Sequence, residues 1–120
     1  MATESREIVG YRSNVALALT SDAARVLRAL CEHETEIKSL IEDADEKIGW
    51  DDAESDIVKL MWQDIKWYNS DLGIQALETF MHNTDDIEWH FLRIGEEATD
   101  IEEEGSFWES EMYIQRTIVL

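Results

Sequence analysis

Proline is absent from this sequence, and its five glycines, at positions 10, 49, 73, 95 and 105, mostly separate periodic segments, where turns belong. No internal repeat and no Pro-, Gly- or Ser-rich linker divides the 120 residues. A single domain spanning 1–120, long enough to bury one core, is therefore expected. The single cysteine, Cys31, excludes an intramolecular disulfide, and its setting in VLRALCEH marks it as a structural thiol on the apolar side of a helix. No run approaches the ~18 apolar residues of a membrane span. The opening MATESREIVG has neither the basic nor the apolar region of a secretion signal. The expectation from these absences is a protein of a reducing cytoplasm.

Positive charge is the scarcest commodity. Ten Lys and Arg face 28 Asp and Glu, a formal charge of −18, far beyond the roughly 2–8 units that solubility asks of a small domain. Like charges at that density repel one another and cost stability, so a use for them is expected. Nucleic acid and anionic membrane are excluded as direct partners, because both are polyanions. The complement is a basic protein surface. Hydrophobic content of 44% with eleven aromatics, five of them Trp, argues for a folded core despite the charge.

Hydrophobic patterning gives the elements. SNVALALT (13–20) alternates as a strand covered on both faces. Thr20-Ser21-Asp22 then offers helix-capping chemistry, and Ala23, Val26, Leu27, Leu30, Ile37, Leu40, Ile41 and Ala44 continue at helical spacing. That predicts one amphipathic helix to about residue 44, bent near Glu34 where the stripe turns polar. IVKLMWQDIKWY (57–68) fits a helical face too, but its β-branched and aromatic content favours a strand. Asn69-Ser70-Asp71 caps a second helix through about His82, and NTDD (83–86) is a turn. IEWHFLRI (87–94) and EMYIQRTIVL (111–120) alternate as two strands of a hairpin joined by the acidic stretch between them. The order β-α-β-α-β-β predicts an α+β two-layer sandwich, with two helices packed on a mainly antiparallel four-stranded sheet.

Catalytic signatures are missing. The chain has no G-x-S-x-G elbow, no glycine-rich phosphate cradle and no cluster of basic residues. His33, His82 and His90 fall in three different elements, and His90 beside Glu88 reads as a surface contact. Carboxylates this abundant make any one pair uninformative as a glycosidase dyad. The expectation is a non-enzyme with no catalytic residues, no cofactor and no resident metal.

Calcium is the chemical alternative. DADEKIGWDDAE (43–54) puts Asp43, Asp45, Asp51 and Glu54 at positions 1, 3, 9 and 12 of an EF-hand-like loop. Lys47 then occupies a ligand position, and the turn glycine stands at position 7 instead of 6. The loop is degenerate.

GEEATDIEEEGSFWESE (95–111) holds eight acids and no base, and its spacing matches no metal loop. Read structurally it is a hairpin loop tacked down by Ile101 and Phe107. Read functionally, Glu96, Glu97, Asp100, Glu102, Glu103, Glu104 and Glu109 form a surface of closely spaced carboxylates. Asp43, Asp45, Glu46, Asp51, Asp52 and Glu54 add a second one. Duplex DNA carries a charge about every 1.7 Å of axis, and two such segments approach that density. Trp50 and Trp108, set among the acids, supply aromatic anchors of the kind interfaces use.

IKWYNSDLGIQALETF (65–80) and FLRIGEEATDIEEEGSF (91–107) together resemble small acidic α/β accessory proteins of bacteriophages and prophages. The likeness covers roughly 57–118 and brings no catalytic residues with it. It implies an inhibitor or modulator of a host machine, working in the host cytoplasm. The combined expectation is a protein that occupies the nucleic-acid channel of a basic host protein, such as a CRISPR effector, a restriction or nuclease complex or a transcription factor. A calcium module, or a small structural or assembly protein whose charge merely prevents aggregation, stands as the alternative.

Overall fold

The structure, a computed structural model, describes residues 10–114. Five strands form one antiparallel sheet: β1 (Ser13–Thr20), β2 (Glu46–Ile48), β3 (Ile57–Ile65), β4 (Trp89–Gly95) and β5 (Ile101–Gly105), in the order β2-β3-β1-β4-β5. Three helices, α1 (Ser21–His33), α2 (Thr35–Glu42) and α3 (Leu72–Asn83), supply the core that covers one face. The α+β class and the antiparallel sheet match expectation. One strand and one helix more than expected are present.

The extra helix comes from Glu34. Its extended backbone (φ −123°, ψ 109°) ends α1 and begins α2, so the predicted bend is a complete break. The polar interruption of the stripe at that point leaves nothing to hold a continuous helix on the sheet. Thr20 Oγ1 accepts from Ala23 N at 3.3 Å to start α1, and Asp71 Oδ1 accepts from Gly73 N and Ile74 N to start α3. Gly73 has to be small, because a Cβ there would stand 2.7 Å from the Glu36 carbonyl oxygen of α2.

Val15, Leu17 and Leu19 of β1, Val58, Leu60 and Trp62 of β3, and Phe91 of β4 bury one sheet face against the helices. Ala24 and Leu27, Ile37 and Ile41, and Ile74, Leu77 and Phe80 meet them from α1, α2 and α3. Each such aliphatic or aromatic side chain contributes about 1.5–3 kcal/mol by leaving water. Trp62 adds a buried hydrogen bond, donating from Nε1 to the Leu40 carbonyl at 2.8 Å.

Two expectations require correction. The acidic stretch is not simply a loop: Ile101–Gly105 is β5, an edge strand paired to β4. The other expected strand does not form over 111–114, which has no regular structure, while 115–120 lie outside the described residues. β2 was also not foreseen, and it takes its place by pairing Glu46, Lys47 and Ile48 with Met61, Leu60 and Lys59.

Candidate functional site

Strand alternation explains why β5 forms. On β4, Trp89, Phe91 and Arg93 share the helix-facing parity, so an arginine stands on the side where the core lies. Arg93 is only 1% exposed. Its Nε donates to Glu102 Oε1 at 2.7 Å, one terminal nitrogen donates to Ser13 Oγ at 3.0 Å, and both terminal nitrogens hold Asp100. Burial pulls the guanidinium pKa down, but the bonds to Asp100 and Glu102 outweigh it and leave the value raised. Tyr11 completes the group, donating to Asp100 Oδ2 at 2.6 Å. Its own pKa is raised by burial and then by that bond. Glu96 accepts from the Arg12 backbone N–H at 2.7 Å. Glu96, Asp100 and Glu102 are therefore spent, at least in part, on fixing the hairpin to the start of β1.

His90 lies on the opposite face of β4, 1% exposed. Its Nε2 is 2.8 Å from Glu103 Oε2 and its Nδ1 is 2.7 Å from Ser110 Oγ. The carboxylate can only accept, so Nε2 carries a proton and donates to it, while Nδ1 and the serine hydroxyl share the second hydrogen bond. The partner of His90 is thus Glu103 across the hairpin, not Glu88, which precedes β4. Serine, histidine and acid in one chain of hydrogen bonds have the composition of a nucleophile relay. Ser110, however, has no exposed surface, and the exposed ring of Trp108 lies 5.4 Å from the imidazole. The hydroxyl is closed to solvent in this arrangement. The arrangement pins a short 3-10 helix (Trp108–Ser110) and the chain after it against the sheet.

The second acidic segment is built differently. Asp45 Oδ2 accepts from Gln63 N at 2.6 Å, and Asn14 Oδ1 accepts from Asp64 N at 2.9 Å, which closes a bulge of β3 against β1. Asp52 Oδ1 accepts from Glu54 N within a turn. Trp50, expected among exposed anchors, is half-buried: Arg28 lies 5.1 Å from its ring centre and donates to the Trp50 and Gly49 carbonyls. Asp43 and Asp45 line a cleft of about 750 Å³ between α2, α3 and the end of β3. The residues after the supposed calcium loop form β3, so no helix-loop-helix exists there. Among the described residues no three His, Cys, Asp or Glu side chains converge to hold a metal ion.

The two acidic segments stand at opposite edges of the sheet, β2 on one side and β5 on the other. Four strand spacings separate them, roughly 19 Å. They do not merge into one patch. Glu46, Asp51, Asp52, Glu54, Glu96, Glu97, Glu103, Glu104 and Glu109 are all exposed. Glu104 faces the imidazole of His82, on α3, at 3.2 Å. Of the sequence-predicted aromatics, Trp108 is 66% exposed, and Tyr113 nearby in the chain reaches 73%. Phe107 is buried as expected, whereas Ile101 is open.

Sequence reasoning passed over Arg93, Tyr11 and Ser110, and it read His90 as a surface contact, whereas the ring is buried against Glu103 and Ser110. Arg93 alone carried a signal, an arginine at the buried parity of a strand followed by an acid run. No family model matches this chain, and neither a curated protein nor a solved structure matches it. Among the described residues no helix is long and apolar enough to cross a membrane.

Proposed function

We propose that this protein is a non-enzymatic binder of a basic, nucleic-acid-handling protein, whose polyanion site it occupies with carboxylates in place of phosphates. The observation that carries the reading is the placement of exposed acids along both edges of the sheet in a chain of formal charge −18. Two separate acidic segments roughly 19 Å apart would give a broad basic surface two points of contact. Association governed by such charges is fast and salt-sensitive. A kinship with phage and prophage accessory proteins, read from 65–80 and 91–107, is part of this proposal and would make a host protein the target.

The test reverses exposed acids on both edges, Asp51→Lys and Glu54→Lys with Glu97→Lys and Glu109→Lys, leaving the Arg93 and His90 partners intact. The immobilised chain is exposed to a bacterial lysate, and what it retains is eluted with duplex DNA or with salt. Retention of basic nucleic-acid-binding proteins that duplex DNA displaces, lost in the reversed variant, is the expected result. Retention that survives saturating DNA, or that the reversal leaves unchanged, defeats the reading.

A further inference from the structure

Directly opposed residues in an antiparallel sheet share a face. Reading the register across all five strands, Glu46, Met61, Ala16, Leu92 and Glu103 form one continuous row on the face away from the helices. The row is apolar in its middle and ends in a carboxylate at each edge. The next row holds Ile48, Lys59, Ala18 and His90, and the one on the other side holds Asn14, Ile94 and Ile101.

The described residues cover this face only in part. The segment after the 3-10 helix crosses it, and between that segment and the strands lies a groove of about 430 Å³. Met61, Ala16, Leu92 and Ile94 form its floor, Met112 and Tyr113 a wall, and Ile48 its lip. The largest exposed hydrophobics gather here: Ile48, Ile101, Trp108 and Tyr113 are on or beside this face, against only Val26 and Leu72 elsewhere among the described residues. Apolar surface that converges and is rimmed by charge marks an interaction site. Glu46 and Glu111 line the groove, with Lys59 as the single cation among its described lining residues. Glu103 and Glu109 are exposed beside it.

We propose that this groove docks a segment of the partner in which an apolar side chain is flanked by lysine or arginine. The apolar side chain fills the floor between Met61 and Leu92, and the flanking cations meet Glu46 at one edge and Glu103 or Glu111 towards the other. The proposal rests on the basic-partner reading and gives it an anchor. Charge draws the partner in, and burial in the groove holds it. The residues that fix affinity are then Ile48, Met61, Leu92 and Tyr113, not the acid-rich run itself.

The probe is a synthetic peptide alternating lysine and leucine, compared with a lysine–serine peptide of equal length and charge, by titration calorimetry and by amide shifts in nuclear magnetic resonance spectra. The leucine peptide binds at least about ten-fold tighter, the worth of burying roughly one aliphatic side chain, and shifts the amides of Ala16, Leu92 and Ile94. The double variant Ile48→Thr with Tyr113→Ser, at two exposed positions, removes that preference while the lysine–serine affinity stays the same. Equal binding of both peptides overturns the groove and leaves the charge reading standing, whereas no binding of either overturns both. Binding that appears only when the chain is ended after Ile114 assigns the groove to residues 115–120 and overturns the proposal. So does sedimentation showing a dimer that closes this face.

Discussion

Arg93 and Glu102 stand directly opposite each other on β4 and β5, joined by a 2.7 Å hydrogen bond from Nε to Oε1. That contact converts part of an acid run into an edge strand. Removing one partner of a buried ion pair strands the other, at a cost of about 3–5 kcal/mol. Glu102 is about one-third exposed, which places Arg93→Met near the lower end of that range, about 3 kcal/mol. Urea unfolding is the measurement, with Glu97→Gln as a surface control that stays within about 0.5 kcal/mol of the parent. The raised Arg93 pKa implies stability fully present below the ordinary arginine range and lost only as pH rises through the raised value. Its contribution therefore stays constant through the neutral range.

Ser110→Ala leaves the buried Nδ1 of His90 without its hydroxyl partner. The expected loss is about 1–3 kcal/mol, together with faster amide exchange over 107–114. A fluorophosphonate reagent does not label Ser110 in the native protein, because the hydroxyl is fully buried. Labelling of Ser110 would show that the segment opens readily and that the relay is usable.

Gly105→Ala is disruptive out of proportion to its size. Gly105 has φ +105°, and a Cβ there would collide with the Trp89 carbonyl oxygen, which also accepts from Ser106 N and Phe107 N at the end of the hairpin. A loss of at least about 2 kcal/mol is expected from backbone strain and displaced bonds. Thermal unfolding would register it, and an unchanged midpoint would contradict the hairpin geometry.

Burial, then the nearby Glu42 carboxylate, raises the pKa of Cys31. A raised pKa means that the folded chain keeps its thiol proton where the unfolded chain loses it. Stability is then constant below the ordinary thiol range and falls as pH rises through the raised value. Alkylation of Cys31 by iodoacetamide should have its midpoint at higher pH in the folded protein than in urea. A coincident pair of midpoints would refute the shift.

Screening should stabilise this protein. Raising ionic strength from about 0.01 M to about 1 M shrinks the Debye length from about 30 Å to about 3 Å and relieves the repulsion among surplus carboxylates. A melting temperature that rises steadily with sodium chloride is the expected outcome. A falling one would mean that the attractive pairs, Arg93 first among them, outweigh the repulsion.

Much of the fold was legible because it rests on local periodicity and capping. SNVALALT reads as β1, Asp71 as the cap of α3, and the β-branched run after Ile57 as β3. Glu34 was visible as a polar interruption, but whether a helix bends or breaks there depends on packing against the sheet, which no window of sequence contains. β5 was hidden for a similar reason. IEEEG has poor strand propensity by itself, and it becomes a strand because Arg93 and His90, on the neighbouring strand, hold Glu102 and Glu103. The two acidic segments were legible as charge. Their placement on opposite edges was not, since strand order is set by long-range pairing.

That placement has a consequence for the molecule among its own copies. An antiparallel sheet with two open edges invites a further strand at either side. Here one edge is the three-residue β2, which carries Glu46, and the other is β5, with Glu102, Glu103 and Glu104 in succession. A second copy approaching β5 against β5 brings carboxylate against carboxylate. Charge on β5 therefore opposes strand-to-strand addition at that edge, whereas β2 relies on its length of three residues.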